Sequence, residues 1–142
     1  MKVLLINPPI EISQGEFTPV IAPLGLAYIA AVLEKDNHQV KILDCIALSW
    51  KNTIKIKRGK KIIQRYSPSN SMLKKYILDF RPDIIGISNL VSPTELETVK
   101  MARFIKKLLP ATKVVIGGSN ASFRINFFMK DKSVDFVIVF EG

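Results

Sequence analysis

The sequence predicts an α/β fold: a doubly wound, five-stranded parallel sheet with helices on both faces and an inserted basic β-hairpin. Short runs rich in Val, Ile and Leu alternate with segments whose apolar residues recur at helical spacing. Runs that are apolar throughout are typical of strands buried on both faces of a parallel sheet. Because right-handed crossovers would distribute the helices over both faces, the expected class is flavodoxin-like or Rossmann-like.

The first part of the chain predicts two strands and one helix. Lys2–Asn7 contains a continuous apolar run and is the first predicted strand, which Pro8 and Pro9 end. The first helix is expected from Pro23 to about Asp36, because four apolar residues share one face: Leu26, Ile29, Ala30 and Leu33. The second strand is expected at Gln39–Leu43.

The segment from about 51 to 66 is predicted to form a β-hairpin inserted into the second crossover. Isoleucines alternate with polar residues over Thr53–Lys57, a similar run follows over Lys60–Gln64, and Gly59 supplies the turn. Seven of the 21 basic residues lie between Lys51 and Arg65 without an acidic residue, so this segment carries most of the net charge of +9. We expect a solvated surface element.

The second half predicts three further strands and three helices. A helix begins at Ser69 or Asn70 and ends near Phe80. The residues Ser92-Pro93-Thr94-Glu95 have the pattern of a capping box that opens the next helix, which Pro110 ends. The other predicted elements are strands at Asp83–Ser88, Lys113–Ile116 and Asp135–Phe140, and a helix at Asn120–Met129.

Length and composition predict one domain over residues 1–142. The apolar runs are interrupted well short of the ~18 residues that a membrane span needs. With Cys45 as the single cysteine, an internal disulfide and an all-cysteine metal site are excluded for this chain, and a cytoplasmic location is expected. Because no helix follows the last predicted strand, we expect the domain to be part of a longer polypeptide.

Ligands of open α/β sheets bind at the carboxyl ends of the strands. In this sequence those ends hold no histidine, no nucleophile beside a base and no trio of carboxylates, so no catalytic residue is expected. The acidic residues of a response regulator, the phosphate loop of a flavodoxin, G-x-G-x-x-G and the P-loop are all missing. Small residues and backbone amides remain, and these suit a large, flat or extended ligand.

Two loops at this edge carry a family resemblance. Ser88-x-Leu90, followed after 26 residues by Gly117-Gly118, is similar to the S-x-L…G-G signature of cobalamin-binding domains. With Asn7-Pro8-Pro9, the stretch PLGLAYIAAVLE and the terminal FEG, nearly the whole chain resembles the N-terminal cobalamin-binding domain of radical S-adenosylmethionine (radical SAM) enzymes. The resemblance implies a parent methyltransferase or cyclase whose downstream radical SAM domain binds S-adenosylmethionine and a [4Fe–4S] cluster.

The resemblance also implies roles for residues of the edge. Gly117 and Gly118 would leave room for the nucleotide tail of cobalamin, Ser88 would hydrogen-bond the tail base, and Leu90 would pack on it. Leu24 and Gly25 would open a helix whose free amides face polar groups of the cofactor. The remaining implied contacts are Asn7, Pro8, Pro9, Asn89, Val91, Ser119, Glu141 and Gly142.

One feature departs from many cobalamin domains, which carry a cobalt-ligating histidine in D-x-H-x-x-G after the first strand. Here that loop has no histidine, and the single histidine, His38, lies at the opposite end of the predicted sheet. The resemblance therefore implies cobalamin bound without a histidine ligand, with no metal ligand from the chain. Two alternatives stay open: a cobalamin-free scaffold of the same fold, and a basic nucleic-acid binder, which only the hairpin supports.

Overall fold

The computed structural model describes residues 1–13, 15 and 21–140. The strands in chain order are β1 Lys2–Asn7, β2 Ile10–Ser13, β3 Gln39–Asp44, β4 Ile54–Arg58, β5 Lys61–Tyr66, β6 Ile84–Ser88, β7 Lys113–Gly117 and β8 Phe136–Val137. Five of them form a parallel sheet in the order β3-β1-β6-β7-β8. The predicted parallel sheet and fold class are confirmed.

The helices are α1 Leu24–Lys35, α2 Cys45–Ser49, α3 Asn70–Phe80, α4 Glu95–Leu108, α5 Ser119–Phe123 and α6 Ile125–Met129. They cover both faces of the sheet. Successive side chains of a strand point alternately to these two faces, so each face has its own core cluster. The larger core cluster lies between the sheet and α3, α4, α5 and α6, and the smaller one lies under α1. Among the described residues, no helix combines the length and the hydropathy that a membrane crossing requires.

The basic hairpin is confirmed, and it belongs to a second, antiparallel sheet of order β2-β5-β4. Strand β2, which follows the two prolines after β1, was not predicted. Its alternation of isoleucine with polar residues is typical of a strand, but four residues are too few to distinguish it from a loop. The lysines of the hairpin are exposed, as expected: Lys51, Lys55, Lys57, Lys60 and Lys61.

The capping-box prediction is wrong. Ser92–Thr94 form a 3₁₀ turn, and α4 begins only at Glu95 without a side-chain cap. The Ser92 hydroxyl donates instead to Asn120 Oδ1 at 3.2 Å, and the Thr94 hydroxyl donates to the carbonyl of Val91 at 2.8 Å. The pattern predicted a local bond, but both hydroxyls bind groups of the loops around them.

Three further elements differ from the prediction. The expected helix at Asn120–Met129 is divided into α5 and α6 at Arg124, and the last strand is only two residues long. The short helix α2 was not predicted. It begins directly after β3 because the carboxylate of Asp44 accepts hydrogen bonds from the backbone amides of Ile46 and Ala47, which caps the helix.

Candidate functional site

The loops that carry the S-x-L…G-G signature, after β6 and after β7, lie side by side at the carboxyl edge of the sheet, and we call them the two signature loops. Ser88 is the register partner of Gly117 in the pairing of β6 with β7. The backbone amide of Asn89 donates to the carbonyl of Gly117 at 2.7 Å, and the Ser119 hydroxyl donates to the carbonyl of Leu90 at 3.1 Å. The structure therefore brings together the predicted residues of both loops.

A strip of small residues runs across the sheet next to α1. By strand alternation, Gly86, Ser88 and Gly117 lie on the face that carries α1, and we call them the small-residue strip. Helix α1 packs mainly on β1 and β3, so it does not fill the space over β6 and β7. A Cβ added at Gly117 would meet only Ile138 Cβ, at 3.8 Å. At Gly86, by contrast, an added Cβ would lie 2.9 Å from Leu5 Cδ2. The part of the strip that can receive a flat group is therefore at Ser88 and Gly117, and a bulky side chain at 117 would occupy that space.

The contacts around Gly118 differ from the open slot that was expected at this position. Its φ is +112°, and an added Cβ would lie 2.7 Å from the carbonyl oxygen of Asn89. The missing side chain thus faces the neighbouring backbone and not an open slot. Gly118 therefore allows the two signature loops to approach each other.

Asn89 is fully buried and connects the loops through its side chain. Its Nδ2 donates to Thr94 Oγ1 at 2.9 Å and to Thr98 Oγ1 at 3.1 Å, while its Oδ1 accepts from Asn120 Nδ2 at 2.7 Å. The side chain of Asn89 is directed into the interior, so it positions the loops and does not itself face a ligand. No local pattern predicts these contacts, because Thr94 and Thr98 lie in the 3₁₀ turn and in α4, and Asn120 is 31 residues away.

Exposed apolar side chains surround the carboxyl edge. Leu90 and Val91 after β6 are 60% and 48% exposed, and Phe140 after β8 is 77% exposed. On α1, Leu24 and Tyr28 are also largely exposed. Several large apolar side chains exposed at one edge of a sheet indicate a site for a ligand or a partner.

The loop after β1 makes mainly structural contacts. Asn7 Nδ2 donates to Asp44 Oδ1 at 3.1 Å, and Pro8 and Pro9 are buried. Gly25 is exposed at the start of α1, where an added Cβ would meet nothing within 4 Å. The predicted contacts Glu141 and Gly142 lie outside the described residues.

Neither His38 nor Cys45 is placed to serve this edge. His38 precedes β3, and its Nδ1 lies 3.4 Å from the amino group of Met1 at the amino ends of the strands, as predicted. Burial and then the Asp44 charge raise the pKa of the Cys45 thiol to about 12, so it stays protonated. Within the described ranges, no group of three or more His, Cys, Asp and Glu side chains is arranged to hold a metal ion.

Comparison with known proteins extends these observations. Over 141 residues, the chain is 33% identical to cytidylyl-2-hydroxyethylphosphonate methyltransferase of Streptomyces wedmorensis, covering 99% of this chain and 26% of that protein. It is 30% identical to an uncharacterized methyltransferase of Pyrococcus horikoshii, covering 100% of this chain and 27% of the relative. The chain thus spans about a quarter of the length of these curated relatives.

A solved structure supports the fold independently. A cobalamin-binding protein from Desulfitobacterium hafniense superposes with a TM-score of 0.59 at 14% identity, covering 96% of this chain and 52% of that one. The family model described as the B12 binding domain matches residues 15–142. The chain therefore belongs to the B12-binding domain family.

Proposed function

We propose that the chain binds cobalamin at the carboxyl edge of its sheet and serves as the cofactor-binding domain of a longer radical SAM methyltransferase. The observation that carries this proposal is the small-residue strip beside α1. Two relatives are methyltransferases by name, and each is about four times longer than this chain. They support a methyltransferase as the parent protein. S-adenosylmethionine and a [4Fe–4S] cluster are assigned to the remainder of that parent.

The strip fits the nucleotide tail of cobalamin. Glycine at 117 leaves the sheet surface beside Ser88 flat, and a flat aromatic base needs such a surface. Within the described part of the chain, the half-buried Ser88 hydroxyl has no hydrogen-bond partner, so it is free to bind the tail. Gly117 supplies the room and Ser88 supplies the polar contact.

The corrin ring fits the apolar surface around the strip. Leu90, Val91 and Phe140 would pack against the ring and remove it from water. The first turn of α1 has no side-chain cap and no acidic residue, so its free amides suit the amide groups at the periphery of the corrin. Bound cobalamin would supply methyl-transfer chemistry, whereas the chain's own residues would hold, orient and shield the cofactor.

We further propose that no histidine of the chain ligates cobalt. His38 lies at the amino ends of the strands, and the carboxyl edge is about a strand's length away, roughly 17–20 Å. The cofactor's own dimethylbenzimidazole would lie in the strip, so it would not ligate cobalt either.

The absorbance spectrum of hydroxocobalamin mixed with the 142-residue chain tests this proposal. We expect the spectrum of cobalamin without its lower nitrogen ligand, and we expect the His38→Ala chain to give the same spectrum. A nitrogen-ligated spectrum that is lost in His38→Ala would contradict the histidine-off assignment. A folded chain that leaves the spectrum of free hydroxocobalamin unchanged and retains no cobalamin on a spin column would favour the cobalamin-free scaffold.

A further inference from the structure

A basic groove lies on the side of the sheet opposite α1, between α3, α4 and the base of the hairpin. Its volume is about 340 Å³, and the charged residues that line it are Arg65, Glu97, Lys100, Arg103 and Lys107. The core cluster that contains α3 and α4 separates this groove from the small-residue strip, which lies on the other face. Cobalamin at the strip would leave the groove free.

The cations of the groove outnumber their carboxylate partners. Glu97 is almost fully buried and binds Arg65 at 2.5 Å and Lys100 at 2.6 Å. Arg103 pairs with Asp131 at 2.7 Å. Lys107 has no partner among the described residues. Four cations therefore face two carboxylates, which leaves a surplus of two positive charges.

The arrangement of these cations is also directional. Lys100, Arg103 and Lys107 are spaced at i, i+3 and i+7 on α4, so they lie along one side of that helix. The groove is also lined by Ser67, which precedes α3, and by Asn70, the first residue of α3. The first turn of α3 contains no acidic residue, so the partial positive charge at this helix end adds to the surplus.

Arg65 has one buried N–H group without a partner in the residues that the structure describes. Its Nη2 is occupied by Glu97, but its Nε is buried and has no partner. Glu11, the cross-strand neighbour of Arg65, likewise has one buried oxygen without a partner. Both atoms belong to cross-strand neighbours and are buried, so the observations that carry the argument for the groove are its surplus of two positive charges and Lys107.

We propose that this groove binds a small molecule through a phosphate-type group. A doubly charged oxyanion matches the surplus of two positive charges, and its oxygens accept the charge-assisted hydrogen bonds that lysine and arginine donate. Three kinds of molecule could present this group: free phosphate, pyrophosphate or a nucleotide. All three share the chemistry that the groove recognises.

Calorimetric titration of the 142-residue chain tests this proposal, with inorganic phosphate, pyrophosphate and cytidine monophosphate as probes at constant ionic strength. We expect saturable binding of at least one probe, and the tightest one identifies the source. Lys107→Gln should weaken that binding by about tenfold, as expected for the loss of one charge-assisted hydrogen bond. Lys107 is exposed on a helix and glutamine is a good helix former, so the fold should be retained.

Lys35→Gln is the matched control, because it removes the same charge from the exposed end of α1 on the other face of the sheet. It should bind the probe as the unmodified chain does. Equal weakening by both substitutions would show only a general effect of net charge and would overturn the proposal. So would the absence of saturable binding by all three probes, or unchanged binding by Lys107→Gln.

Discussion

Replacing Asn89 with alanine is expected to lower the free energy of unfolding by about 3 kcal/mol. The side chain is fully buried and makes three hydrogen bonds, to Thr94, Thr98 and Asn120. Alanine would leave a cavity and would remove one bond from each partner in a region that water cannot easily reach. The two signature loops would lose the hydrogen bonds through which Asn89 connects them.

Chemical denaturation followed by circular dichroism measures this difference. Asn126→Ala is the control, because Asn126 is exposed on α6 and has no partner within the described part of the chain. The control should change the free energy of unfolding by less than about 0.5 kcal/mol. If Asn89→Ala were as mild as the control, the network would not hold the loops together.

Replacing Gly118 with alanine is expected to have an effect of similar size, about 2–3 kcal/mol. The backbone there has φ +112° and ψ 166°, a conformation that is essentially restricted to glycine. In addition, the new Cβ would lie 2.7 Å from the carbonyl oxygen of Asn89, so the two signature loops would have to separate.

Gly117→Ala provides a matched control one residue away. Its Cβ would make an ordinary contact with Ile138, at 3.8 Å, and Gly117 has no positive φ. Thermal unfolding of both variants should show a clear loss for Gly118→Ala and little change for Gly117→Ala. Equal losses in the two variants would contradict the distinction between a glycine that joins the loops and a glycine that opens the strip.

The parallel sheet could be predicted because its strands are short segments rich in Val, Ile and Leu that are separated by clear interruptions. Asn7-Pro8-Pro9 ended β1, and Pro82 separated α3 from β6. Elements that depend on partners distant in sequence could not be predicted in the same way. Strand β2 exists because it pairs with β5, and its four residues carry too weak a pattern alone.

The candidate site shows the same division between local and distant information. The spacing of Ser88, Leu90 and the two glycines indicated which loops would meet, and the structure places these loops together. The separate reasons for Gly117 and Gly118 depend on backbone angles and on the position of Asn89, which spacing does not specify. Likewise, the basic segment indicated a surface hairpin, whereas the ion pair of Arg65 with buried Glu97 required the fold.

Equilibrium dialysis of hydroxocobalamin against the 142-residue chain and its Gly117→Leu variant tests the central claim most directly. We predict that the unmodified chain binds cobalamin and that leucine at 117 weakens binding at least tenfold, or about 1.4 kcal/mol, because its side chain would occupy the small-residue strip. Circular dichroism would verify that both chains are folded. Folded wild-type chain that retains no cobalamin, or a Gly117→Leu chain that binds it equally well, would contradict the proposed site.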